Sequence, residues 1–245
     1  MRTTMPQLEF VEPGADATLN VMLYGAPKTG KTMAAASAPG PILYINADRP
    51  NALRMARAKY GEAIFEVKFT GLQTMIDVTN ELIENSDKWG SVVVDTVGEL
   101  YTKLVDDLSG RALRASLPLR GDAGVHLERF LRQLCDFPVN AVFVAHEYLV
   151  EDDEQAERVP FVTSKSGSSA FAGKLAGMVD VIGYTGVVFS DAEDEPNKYL
   201  AQLIPANGRR GGSRFASLGK AREMDISEWI EQVLSETGEL AGAKE

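Results

Sequence analysis

Cysteine is almost missing from this 245-residue chain, in which Cys135 stands alone. One thiol cannot close an intrachain disulfide, which excludes the small disulfide-stapled scaffolds and fits a reducing compartment. Long apolar runs are missing too. Nowhere do about 18 apolar residues follow one another, roughly what a membrane-spanning helix needs. Residues 1–20 hold no apolar run of the signal-sequence kind. Positive charge is in deficit, with 25 Lys and Arg against 35 Asp and Glu and a formal net charge of −10. Such a chain does not attract a polyanion over its whole surface, so any nucleic-acid contact must use a local basic patch. A cytoplasmic location and no membrane partner are expected. With 44% apolar residues there is material for one large core.

Apolar residues are present in two alternating patterns. Residues 19–24, 42–46, 64–69, 91–95 and 139–146 are short runs rich in Val, Ile and aromatics, which predict strands. Between them, 31–38, 51–60, 72–85, 97–108 and 125–137 read as helices. In 72–85 the residues Leu72, Met75, Ile76, Val78, Leu82 and Ile83 mostly keep a three-or-four spacing, one buried helical face. Apolar strands alternating with amphipathic helices imply an α/β fold, a mostly parallel sheet covered on both faces. After His146 come an acidic stretch at 151–157 and a Gly/Ser-rich segment at 163–173. Strand-like runs at 178–184 and 198–204 follow, read as C-terminal β-hairpins. Ile226, Trp229, Ile230, Val233 and Leu234 mark a last amphipathic helix. The expected division is an N-terminal segment 1–18, a core 19–222 and a C-terminal helix with acidic tail 223–245.

Directly after the first predicted strand stands Gly25-Ala26-Pro27-Lys28-Thr29-Gly30-Lys31-Thr32, a full match to G-x-x-x-x-G-K-[ST] in its required strand-to-helix setting. Backbone amides of such a loop converge on phosphates, and glycines permit the close approach. Lys31 would touch the β- and γ-phosphates, and Thr32 would offer its hydroxyl to a Mg2+ bridging them. Met33, next on the helix, completes the candidate nucleotide contacts.

Ser91-Val92-Val93-Val94-Asp95 is an apolar strand ending in a carboxylate, where open α/β sheets place ligands. Asp95 is the candidate second metal residue, directly or through water; an N-cap for the following helix is the competing role. Two further polar residues end other strands. Asp48, after Ile42 to Ala47, is a candidate carboxylate to activate water. His146, after Ala141 to Ala145, is a candidate reader of the γ-phosphate.

Basic residues cluster locally. Residues 109–121 hold three arginines and no acid, and 205–222 hold five basic residues and no acid. Arg111, Arg114 and Arg120 are candidate DNA contacts. In Gly208-Arg209-Arg210-Gly211-Gly212-Ser213-Arg214, Arg210 and Arg214 are candidate arginine fingers.

The ordered set of P-loop, Asp48, Asp95 and His146 resembles the core of the RecA-like recombinase ATPases, and in particular the short phage-encoded ATP-dependent single-strand annealing proteins. The resemblance runs from about 19 to 218. It implies a RecA-like P-loop core using ATP and Mg2+. The second strand of that family ends in a catalytic carboxylate, usually Glu, and Asp48 stands there. The strand after the Mg2+ carboxylate ends in a polar sensor, often Gln, and His146 stands there. A DNA-binding loop followed by a short helix is similar to 163–171 running into 172–177, which makes Lys165 and Phe171 the DNA contacts that the resemblance implies, and the first DNA-binding loop would fall between 108 and 122. The resemblance further implies single-stranded DNA as partner, self-association into a ring or filament, basic residues reaching a neighbour's site, a single-strand DNA-binding protein as delivery partner, and, if phage-encoded, the cytoplasm of a bacterial host. Two other functions share the P-loop: a small-molecule kinase, with 151–173 as an acceptor lid, and a nucleotide-switched partner protein with little catalysis.

Overall fold

The computed structural model describes residues 18–110, 114–151, 156–163, 168–190 and 196–242. In chain order the elements are β1 (Asn20–Gly25), α1 (Lys31–Ala35), β2 (Ile42–Asn46), α2 (Arg54–Tyr60), β3 (Ile64–Lys68), α3 (Leu72–Asn85), β4 (Ser91–Asp95) and α4 (Val97–Ser109). There follow α5 (Leu117–Asp136), β5 (Asn140–Glu151), β6 (Ala156–Phe161), α6 (Ser168–Met178), β7 (Val181–Val188), β8 (Lys198–Gln202), β9 (Gly212–Ser213), β10 (Ala221–Glu223) and α7 (Ile226–Gly242).

All strands join one sheet in the order β10-β8-β7-β1-β5-β4-β2-β3, with β6 paired to β5 and β9 to β7. The six strands from β7 to β3 are mutually parallel. β6, β8, β9 and β10 pair antiparallel at the side and edge. This is the expected α/β P-loop core, with helices on both faces and C-terminal hairpins.

The strands are continuously apolar because both faces are covered. Met22, Tyr24, Leu43, Ile45, Val92, Val94, Phe143 and Ala145 point to a layer built with α3, α4, α5 and α6. Val21, Leu23, Ile42, Tyr44, Val93, Val142 and Val144 point to the other layer, built with α1, α2 and α7. The alternation is the period-two pleat at work. α7 is part of this packing: Ile226 and Trp229 are fully buried, the Trp229 indole donates to Glu223 O at 2.8 Å, and Ile226 N donates to Ser37 Oγ at 2.8 Å.

Four sequence expectations are corrected. The strand holding His146 does not stop there. It runs on to Glu151 and folds back through β6, so His146 ends only the parallel part, pairing with Gly25 on one side and Phe161 on the other. The helix expected at 125–137 begins at Leu117, capped by the Ser116 hydroxyl, which accepts from Leu119 N at 3.4 Å, with Pro118 in its first turn. Arg120 is therefore helical rather than in a loop. Gly121 and Gly124 weaken local helix propensity there, and burial of Ala123, Leu127, Phe130 and Leu131 on the sheet overrides it. Phe171, expected on a DNA-binding loop, is 7% exposed in the core under α6. The segment read as an acceptor lid contributes β6 to the sheet and the packed helix α6. Arg111 and Lys165 lie outside the described residues.

Trp229→Ala should lower folding stability by roughly 3–5 kcal/mol, the usual range for truncating a buried aromatic. Urea unfolding of the two proteins at equal concentration checks it.

Candidate functional site

β5 lies between β1 and β4, so the C-terminal ends of these three parallel strands form one continuous edge. The loop 25–30 leaves β1 at that edge. At Gly25, with φ +152°, a Cβ would sit 2.6 Å from Thr185 Oγ1 and 2.8 Å from Thr185 O, so close approach to β7 admits glycine only. Gly30, with φ +86°, turns the chain into α1, and a Cβ there would meet the Tyr199 ring at 2.9 Å. Thr29 and Thr185 hydroxyls lie 2.6 Å apart and tie the loop to β7.

Lys31 is buried at 6% exposure, and its Nζ donates to Gly25 O at 3.0 Å and Ala26 O at 2.6 Å. Burial pushes its ammonium down to about 8, against the opposing pull of the Asp95 and Glu147 carboxylates. Asp95, 2% exposed at the end of β4, accepts on Oδ2 from the Thr32 hydroxyl at 2.8 Å and the Tyr44 hydroxyl at 2.7 Å. Burial pushes the Asp95 carboxyl up, and the two hydroxyl donors hold it down. The structure thus brings Lys31, Thr32 and Asp95 together.

Thr32 and Asp95 supply hard oxygen donors side by side. No group of three or more His, Cys, Asp or Glu able to hold a metal occurs among the described residues. That donor set suits Mg2+ carried in by nucleotide phosphates and keeping its waters, rather than a metal caged by protein. Thr32 would be the direct ligand, with Asp95 orienting it and the coordinated water.

Pro27 and Lys28 are exposed on the loop, Ala26 is half-buried, and Met33 packs partly into the core layer of α1. His146 is half-buried, and its Nδ1 has no hydrogen-bond partner among the described residues. Asp48 N donates to Asn46 Oδ1 and Asp48 Oδ1 accepts from Arg49 N at 2.7 Å, so Asp48 also serves the turn after β2. Its charge bears on Asp95, from the side of β4 away from β1.

The arginines divide. Arg210 holds Glu157 in a two-pronged pair at 3.1 and 2.6 Å, and its carbonyl accepts from the Tyr24 hydroxyl at 2.5 Å. Arg214 pairs with Asp180 at 3.1 Å, and Asp180 also accepts from Asn20 N at the start of β1. That is the opposite end of β1 from the loop, roughly 16 Å away along the strand. Arg214 does not join the site of its own chain. Arg114 and Arg120 are exposed. The end of α4 reaches the start of α3 through Asp107, whose Oδ2 accepts from Leu72 N at 2.8 Å. Arg120, in the first turn of α5, lies beside the start of α4, where the Tyr101 hydroxyl donates to its carbonyl at 3.2 Å.

Sequence reading passed over Glu147, Tyr184 and Arg158. The Tyr184 hydroxyl donates to Glu147 Oε2 at 2.8 Å, and Arg158 Nε lies 3.7 Å from the same oxygen. The one signal was the adjacency of Glu147 to His146. It needed the strand to continue past His146, which only the hairpin with β6 shows. Beside the loop, next to Gly30, a groove of about 490 Å3 is lined by Tyr199, Met224, Asn197, Lys59, Asp225 and Glu228 among others.

A family model described as an AAA domain matches residues 17–215. The chain belongs to the AAA-domain family. Among solved structures, a KaiC-like protein from the hyperthermophilic archaeon Pyrococcus horikoshii is similar at 13% identity, covering 81% of this chain and 83% of that chain with a TM-score of 0.43. No curated protein matches. The AAA domain here is a P-loop ATPase-like domain, a family that binds nucleotide and usually Mg2+. Among its described residues no helix is long and apolar enough to cross a membrane.

The Lys31 shift predicts a pH effect on the AAA domain's stability. The folded value of about 8 lies below the unfolded 10.5. Below pH 8 both states carry the charge, and burying it costs stability, up to roughly 3 kcal/mol. As pH rises from about 8 towards 10.5 the folded state loses the proton first and the cost fades. Lys31→Met lacks this term, so its stability relative to wild type should be highest near pH 7 and decline towards pH 10 in paired urea unfolding.

Proposed function

We propose that this chain is a DNA-dependent ATPase that binds single-stranded DNA in its nucleotide-bound state and promotes annealing or strand pairing, as in phage-type homologous recombination. The observation that carries the ATPase half is the convergence of Lys31, Thr32 and Asp95 at the edge shared by β1, β5 and β4. Lys31 would leave its loop carbonyls for the β- and γ-phosphates, neutralising charge as the γ-phosphoryl group departs. The groove beside Gly30 would take the nucleoside, with the half-exposed Tyr199 ring as its stacking surface.

The DNA half is supported by the exposed Arg114 and Arg120, which stand in an acid-free basic stretch, 109–121, of a chain that is acidic as a whole. Arg111, in the same stretch, would act with them. His146, with an unsatisfied ring nitrogen at the start of the β5–β6 hairpin, would read the γ-phosphate and pass its presence to α6 and to Lys165. Self-association into a ring or filament would place Arg214, remote from its own loop, against a neighbour's nucleotide. Arg210 would do so only after releasing Glu157. A single-strand DNA-binding protein would be the delivery partner.

Steady-state ATP hydrolysis with and without a long single-stranded oligonucleotide, at low and moderate salt, tests the coupling. Stimulation by the strand is expected; turnover indifferent to DNA, with no strand bound, would end the DNA reading. Lys31→Ala should abolish turnover. Replacing Arg111, Arg114 and Arg120 together with Ala should flatten the salt dependence of oligonucleotide affinity, each lost phosphate contact reducing the slope by about one.

A further inference from the structure

We propose that Glu147, rather than Asp48, is the carboxylate that takes the proton from the attacking water, an inference that rests on the ATPase reading above. β5 is the strand interposed between the loop strand β1 and the Asp95 strand β4. Gly25 pairs with His146, so Glu147 is the first residue beyond the point where β1 turns into the loop. Lys31 donates to the carbonyl of that same Gly25. Two carboxylates bear on the Lys31 ammonium, those of Asp95 and Glu147. Asp95 is already committed to Thr32 and Tyr44.

The Glu147 carboxylate is held by one oxygen. Tyr184 and Arg158 both engage Oε2, and Oε1 has no partner among the described residues. The side chain is 27% exposed, so water reaches it without the group being free to wander. Tyr184 is itself fixed, edge-on to Tyr24 with ring centroids 5.3 Å apart and with the Arg209 guanidinium 4.6 Å from its ring centroid. A carboxylate with one oxygen anchored and one open has the form a general base needs. Asp48 differs in place and in what anchors it: it stands at the end of β2, beyond β4 from β1, its Oδ1 is held by the backbone of the following turn, and it is not among the carboxylates that bear on Lys31.

In the step, the water oxygen bonds to the γ-phosphorus while the bond from phosphorus to the β–γ bridging oxygen breaks. The electron pair of the broken bond stays on the ADP oxygen. The water proton passes to Glu147 Oε1, giving ADP, phosphate and a neutral carboxylic acid, which then returns the proton to solvent. Tyr184 is a positioning residue, acting through Glu147.

The test is ATP turnover and ATP affinity of full-length wild type, Glu147→Gln, Asp48→Asn and Tyr184→Phe, with single-stranded oligonucleotide present. Gln keeps an acceptor for Tyr184, and thermal melting of each variant reports whether the fold survives. Glu147→Gln should lower kcat roughly 100-fold with ATP affinity unchanged. Tyr184→Phe should lower kcat several-fold at unchanged KM, a split that a purely structural role would not produce. If wild type turns over and Glu147→Gln retains more than about a tenth of its kcat, or only Asp48→Asn loses activity, the inference is overturned alone. If folded wild type shows no turnover, the ATPase reading falls and takes it along.

Discussion

An ammonium and a carboxylate are buried at the edge of an otherwise apolar sheet, and the rest of the structure is arranged around that constraint. Lys31 and Asp95 are each almost fully enclosed. Charges out of water are costly unless neighbours replace the lost hydration. Here the loop carbonyls of Gly25 and Ala26 do so for Lys31, and the Thr32 and Tyr44 hydroxyls for Asp95. These partners come from β1 and its loop, α1 and β2, while Asp95 itself ends β4, so the sheet order must be correct before either charge is tolerable.

The sheet order also explains why the site is a line rather than a cluster. Interposing β5 keeps the loop strand and the Asp95 strand one strand apart, and the residues leaving β5 fall in the gap. The continuation of β5 into a hairpin then ties that gap to β6, and the Tyr24 hydroxyl joins β6 to the 204–211 turn through the carbonyls of Arg158 and Arg210. The same residues that surround Glu147 therefore connect the nucleotide edge to the segments carrying the basic residues.

Much of the frame was legible in the sequence. β2, β4 and α3 have the boundaries that apolar runs and helical spacing predict, because each is buried strongly enough for its pattern to be uninterrupted. The P-loop was legible because its residue pattern is contiguous and Gly30 answers a local demand, a left-handed turn into α1, whereas the close approach of Gly25 to Thr185 is a contact between β1 and β7 that only the sheet shows. The start of α5 was not, since Gly121 and Gly124 argue against a helix that sheet packing enforces. Phe171 was misread because a Gly/Ser-rich neighbourhood hides an aromatic that α6 delivers to the core.

What the sequence determined by itself was the chemistry of contiguous residues: a phosphate loop, a carboxylate ending a strand, alternating elements that must make a covered parallel sheet. Those are local patterns, and local sterics or periodicity suffice to specify them. Tertiary structure alone decided which distant residues meet. It set Tyr44 on Asp95, Tyr184 and Arg158 on Glu147, Glu157 on Arg210, and Arg214 at the far end of β1. These pairings depend on strand order and on a strand that continues past its parallel partners, quantities fixed by packing of the whole sheet and written in no single segment.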